Sequence, residues 1–151
     1  ANLTSYCKCM NGLDKDLAAH IMVINKVGII LSGEEISEVF EPVAKEFYIH
    51  SILYDIENAD EEITKNPVYF ILNFCRVLAY LEGEVILSKQ QGGKWGIDNL
   101  PVKYKALIKN VLDCYTTNLE FEGKDLIHDF TIYMLERINK AMSKMRKNAR
   151  F

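Results

Sequence analysis

The stretch Asn66–Pro101, NPVYFILNFCRVLAYLEGEVILSKQQGGKWGIDNLP, decides the reading of this chain. From Val68 to Leu81 only Asn73 and Arg76 are strongly polar, so a helix here must be buried on most sides. Tyr69, Asn73, Arg76 and Tyr80 are spaced four, three and four residues apart, which places them on one helical face. A guanidinium stays charged at any pH a protein meets and is rarely buried alone. Arg76 therefore faces a protein carboxylate, a buried polar network or an anionic ligand, and spacing does not choose among them. Asn66-Pro67 reads as a cap with proline at the first helical position, and Gly83 as the end of the helix.

Ser88 and Gln91 form a capping box that opens a shorter helix reaching about Asn99. Gly92, Gly93 and Gly96 weaken its middle. Lys89 falls in its first turn, where free N–H groups and the helix dipole already favour an anion. It is either an exposed surface lysine or the counter-charge of a negative group that visits. Trp95, the single tryptophan, is expected to pack this helix onto its neighbours.

Downstream, Pro101 opens a helix whose inner face is Tyr104, Leu107, Ile108, Val111, Leu112 and Tyr115, and spacing alone puts Tyr115 in the core. A last helix spans about Lys124 to Lys144, with Ile127, Phe130, Met134, Ile138, Ala141 and Met145 inward. Upstream, one helical stripe of Phe47, Ile49, Ile52, Leu53 and Ile56 is expected to continue to Ile63. A helix beginning near Asp14 gives way to a short β-type run, Gly28 to Leu31, and Ser32 with Glu35 makes a capping box for a helix over about Glu34 to Phe40. A single strand is not stable alone, so the first third looks like a piece of a sheet domain. The fold class expected is mainly α: an antiparallel helical bundle of about five helices, preceded by a short α/β remnant. The boundaries drawn are residues 1–41 for the remnant, 42–147 for the helical domain and 148–151 for a basic tail.

With 151 residues and 49% hydrophobic content the chain can hold one domain with a real core, or one domain plus part of another. A net charge of -3 gives no general attraction to nucleic acid. Glu34–Glu62 carries ten carboxylates against Lys45 alone, either a solvated helix face or a surface that meets a cationic substrate. Cys7, Cys9, Cys75 and Cys114 form no disulfide framework, which reads as a reducing, cytoplasmic setting. Cys7 and Cys9 lack the second pair a zinc site needs. No apolar run is long enough for a membrane span and no leader opens the chain.

Asp14-Lys15-Asp16 could be mistaken for paired magnesium ligands, yet no Gly-Ser phosphate turn occurs anywhere in the sequence. Capping of the next helix explains the pair better. His20, His50 and His128 stand apart, with no nucleophile and base pairing readable. Gly92-Gly93-Lys94 lacks the remaining positions of a phosphate loop. No complete catalytic constellation is present.

The order of motifs nevertheless resembles a known family. Asp16-Leu17-Ala18-Ala19-His20, Gly28 to Gly33 with Val39-Phe40, Asn73-x-Cys75-Arg76-Val77-Leu78, Leu87-Ser88-Lys89-x-x-Gly92-Gly93-x-Trp95-Gly96 and Leu100-Pro101-x-x-Tyr104 through Tyr115 are similar to the C-terminal half of aminoglycoside adenylyltransferases, those acting on streptomycin and spectinomycin in particular. The resemblance implies transfer of AMP from Mg·ATP to a hydroxyl of the antibiotic. The Gly-Ser turn, the magnesium ligands and the base would lie in an N-terminal nucleotidyltransferase domain, the implied partner of this chain.

By the same resemblance Lys89, Tyr115 and Arg76 are nucleotide-binding and Glu62 and Asn66 are substrate-binding. Asn66 stands where some members place an aspartate that contacts the drug, so this chain departs from them at that position. ATP and Mg2+ are the cofactors implied for the intact enzyme, with none bound by the 151-residue chain alone. The partners implied are ATP and an aminoglycoside or aminocyclitol antibiotic, with no nucleic acid and no membrane. The alternative is a non-catalytic helical substrate-binding or interaction module that docks on a separate nucleotidyltransferase.

Overall fold

The computed structural model describes Gly12, residues 14–117, Leu119, Phe121, Gly123 and residues 125–148. The chain divides into two compact units, Ala1–Tyr54 and Asp55–Phe151. Its secondary structure is mainly helical, with no strand among the described residues.

The first unit contains α1 (Leu17–Val27), α2 (Ile36–Val39) and α3 (Lys45–Tyr54). Asp14 Oδ1 accepts from the N–H of Asp16, a side-chain turn that leads into α1. The α1 and α3 helices are joined through Ser51, whose hydroxyl donates to the Lys15 carbonyl at 2.7 Å and accepts from the Ala19 N–H at 3.2 Å. Two expectations fail here. The capping box at Ser32 does not form: Gly33 takes φ +109, which turns the chain aside, and α2 starts later on Glu35 without a side-chain cap. Gly28 to Leu31 is not a strand, since strand N–H and C=O groups need a neighbouring strand and the described residues offer none. Ile29 and Leu31 are left 84% and 96% exposed.

The second unit contains α4 (Ala59–Glu62), α5 (Pro67–Gly83), α6 (Lys89–Asn99), α7 (Val102–Thr117) and α8 (Ile127–Asn148). The single helix expected through Ile63 is thus broken after Tyr54, and a separate turn starts after Asn58 without a side-chain cap bond. The apolar stripe runs on across the break, with Ile56, Ala59 and Ile63 buried, which is why periodicity alone could not show it.

The α5 helix is the centre of this unit and touches α6, α7 and α8. Ile71, Leu72, Phe74, Cys75, Val77, Leu78 and Ala79 are all essentially inaccessible to solvent. Phe130 of α8 meets Phe74 and Tyr104 edge to face at 6.1 and 5.2 Å, a geometry worth about 1 kcal/mol per pair beyond burial. The Tyr104 hydroxyl donates to Asp129 Oδ2 at 2.9 Å, and Lys103 pairs with the same oxygen at 2.7 Å. Between α8 and α5, Arg137 grips Glu82 with two bonds of 2.8 Å and also donates to the Tyr133 hydroxyl. The left-handed residue after α5 is Glu84 (φ 55), not Gly83, and its N–H closes the helix on the Tyr80 carbonyl at 2.7 Å.

Candidate functional site

The site begins with the glycines of α6. A Cβ on Gly92 would lie 2.6 Å from Arg76 Cγ, one on Gly93 2.5 Å from Leu112 Cδ2, and one on Gly96 2.6 Å from Cys75 Sγ. These residues cost helix propensity, but they let α6 lie directly on α5 and α7. Close approach is the reason for the glycine-rich sequence, and propensity reasoning sees only its cost. Ser88 caps the start of α6 as expected: its hydroxyl accepts from the Gln91 N–H, and the Gln91 side chain accepts from the Ser88 N–H.

Lys89, the first residue of α6, is placed beside α5 by this contact. Its ammonium sits 4.3 Å from the centre of the Tyr69 ring. The Tyr69 hydroxyl donates to Asp55 Oδ1 at 2.8 Å. Partial burial, and then the charge of Arg76, lower the Lys89 pKa from its ordinary value, against a weaker opposite pull from Asp55. A cation held next to another cation is ready to accept a negative group.

Arg76 donates through Nε to the Leu87 carbonyl at 2.8 Å and through Nη1 to Asn73 Oδ1 at 2.9 Å. Of the readings open for it, the polar network is therefore present, and among the described residues no carboxylate pairs with it. Asn73 is 1% exposed and its Nδ2 has no hydrogen-bond partner among the described residues. Leaving a buried donor unmet costs about 1–3 kcal/mol.

A hollow of about 560 Å³ opens here, lined by Thr64, Lys65, Asn66, Pro67, Val68, Tyr69, Lys89, Tyr115 and Phe121. The first residues of α5 and the first residue of α6, Lys89, lie in its wall, so the positive dipole ends of two helices are near it. Lys89 adds charge, while the charge of Lys65 is offset by its 2.7 Å pair with Glu62, and no carboxylate is among the described lining residues.

Lys89, Tyr115 and Asn66 thus share one cavity wall. Tyr115 is 44% exposed, which corrects its assignment to the core: the inner face of α7 stops at Cys114, and Tyr115 turns outward one residue later. Arg76, expected to be nucleotide-binding, is not in the wall; its charge lowers the Lys89 pKa. Glu62 is also outside it, in a 2.7 Å ion pair with Lys65. Sequence reading passed over Lys65, Asp55 and Phe121. Only Lys65 carried a signal, its three-residue spacing from Glu62.

Among the described residues, no group of three or more His, Cys, Asp and Glu could hold a metal ion. No described helix is long and apolar enough to cross a membrane. Cys75 and Cys114 are buried and in no disulfide, the Cys114 thiol donating to Asn110 Oδ1 at 3.6 Å, while Cys7 and Cys9 and the end of the expected basic tail lie outside the described residues.

The second unit is a helical domain with a hollow at the starts of two of its helices. Residues 38–137 match the family model for the aminoglycoside adenylyltransferase C-terminal domain, and the chain belongs to that family. No curated protein matches it in a search by sequence.

Proposed function

We propose that the chain is the helical part of an aminoglycoside nucleotidyltransferase, and that it closes the cleft in which AMP passes from ATP to a hydroxyl of a spectinomycin- or streptomycin-type antibiotic. The observation that carries this reading is the gathering of Lys89, Tyr115 and Asn66 around one hollow at the N-terminal ends of α5 and α6. In the reaction the drug oxygen bonds to the α-phosphorus, the bond to the β-phosphate oxygen breaks, and pyrophosphate leaves. Lys89, supported by Arg76, receives phosphate charge, and Tyr115 orients the nucleotide. The hydroxyl proton goes to a base in the partnering nucleotidyltransferase domain, which on this reading also carries the magnesium ligands. Catalysis rests on positioning and on neutralising charge.

Asn66 and the Glu62–Lys65 pair bear on the acceptor. The drug-side wall offers an amide where some family members have a carboxylate, and the nearest glutamate is already paired with a lysine. This favours a spectinomycin-like acceptor over the more highly charged streptomycin. The exposed Ile29 and Leu31 favour a covering partner for the first unit, which a non-catalytic module docking on a separate enzyme would also require.

The test is adenylylation by the complete gene product, with ATP and each antibiotic in turn. The expected result is AMP transfer that Lys89→Ala impairs strongly, with spectinomycin preferred, and no transfer by the 151-residue chain alone. Full activity of Lys89→Ala would remove the assignment, and transfer by the isolated chain would refute the division of labour.

A further inference from the structure

Lysine carries its charge on a flexible four-carbon stem, so a lysine at a helix start has no fixed aim of its own. Lys89 is also pushed by a like charge, Arg76, on the same side of the structure. Its ammonium is nevertheless seated over one aromatic face, 4.3 Å from the Tyr69 ring centre. That ring is itself held: its hydroxyl is bonded to Asp55 at 2.8 Å, and it stands nearly perpendicular to the Phe70 ring at 5.2 Å and 87°. Tyr69 and Lys89 both line the hollow, whereas Asp55 does not.

From this chain of contacts we propose that Tyr69, anchored by Asp55, is a positioning residue that aims the Lys89 ammonium into the hollow. The inference rests on the reading that Lys89 receives nucleotide phosphate. The ring face attracts the cation without neutralising it, so the full charge stays available to an incoming anion. A carboxylate in direct contact with Lys89 would instead compete with phosphate. Asp55 touches the hydroxyl of the ring and not the ammonium, and therefore fixes the seat while leaving the charge unpaired by a short salt bridge.

The experiment is a double-mutant cycle in the complete gene product, reading KM for ATP and kcat for Tyr69→Leu, Lys89→Ala and the pair, with Tyr69→Phe and Asp55→Asn as conservative variants. Thermal melting checks that each variant is folded. Tyr69→Leu should raise KM for ATP about two- to fivefold, the range of an exposed cation–π contact. It should do so only while Lys89 is present, and the double variant should match Lys89→Ala. Tyr69→Phe, which keeps the ring, should recover most of the loss, and Asp55→Asn should behave like it.

If Tyr69→Leu adds its full factor in the Lys89→Ala background, Tyr69 acts on the ligand directly and the positioning role is wrong, with the phosphate role of Lys89 intact. If Lys89→Ala leaves KM and kcat unchanged, the site assignment itself fails and takes this inference with it. A readout independent of substrate is the NMR shift of the Lys89 ε-methylene protons. Ring current should move them upfield in the chain as it stands and release them in Tyr69→Leu, and an unshifted signal in the unmutated chain would overturn the contact.

Discussion

A Cβ built on Gly96 falls 2.6 Å from the Sγ of Cys75, closer than two such atoms can stand. Gly96→Ala should therefore destabilise the second unit even though alanine is the better helix former. Overpacking costs about 1–3 kcal/mol, and the propensity gained returns at most about 1 kcal/mol. The net loss, about 0–2 kcal/mol, should be visible in urea unfolding. Raised stability would mean that α5 and α6 are not in close contact here.

Cys75 should be chemically silent in the folded protein. It is fully buried, and desolvation pushes its thiol up to about 12. Since the thiolate is the reactive form, iodoacetamide at mildly alkaline pH should leave Cys75 unmodified and label it after denaturation, as read by mass spectrometry. Rapid labelling in native conditions would contradict its burial.

The Lys89 ammonium should titrate below the ordinary lysine value of 10.5. Its folded pKa is lowered, so the unfolded chain binds more protons in the window just under 10.5, and this group makes stability rise with pH there. Below that window its unfavourable contribution is fully present. NMR titration of the Lys89 side chain should show the low midpoint, and Arg76→Met should move it upward by removing the neighbouring cation. A midpoint that ignores Arg76 would show the two charges to be independent.

Arg137 should matter more than an ordinary surface cation. Its fork spans Glu82 with two 2.8 Å bonds and also reaches Tyr133. Exposed pairs are worth up to about 1 kcal/mol, with bidentate geometry at the upper end. Arg137→Met should lower stability by about that amount, and Arg137→Lys should restore only part, because an ammonium cannot reproduce the fork. Equal stability of all three proteins would reduce the bridge to a surface contact.

The helices starting at Pro67, Lys89 and Val102 were legible from apolar periodicity and start signals, most fully at Ser88 and Gln91, where both bonds of the expected box form, whereas Asn66 makes no side-chain cap bond. The break after Tyr54 was not, because the buried stripe continues across it through Ile56 and Ala59. The β-type run at Gly28 illustrates a different limit: a local preference for extended backbone says nothing about whether a partner strand exists. Of the residues around the hollow, the place of Lys89 in a helix first turn was legible. The residues that orient it were not, since the link between Asp55 and Tyr69 depends on a meeting across 14 positions that spacing cannot encode.

The connection between α5 and α6 is tied at three places. Glu84 bonds back to Tyr80, the Leu87 carbonyl holds Arg76, and the Ser88 box fixes the next turn. Adding or deleting even one residue in 84–88 would break at least one of these ties and shift the start of α6 along its neighbour. This short loop is thus a gauge that sets the distance between two charges, and its length should resist change more than its sequence does.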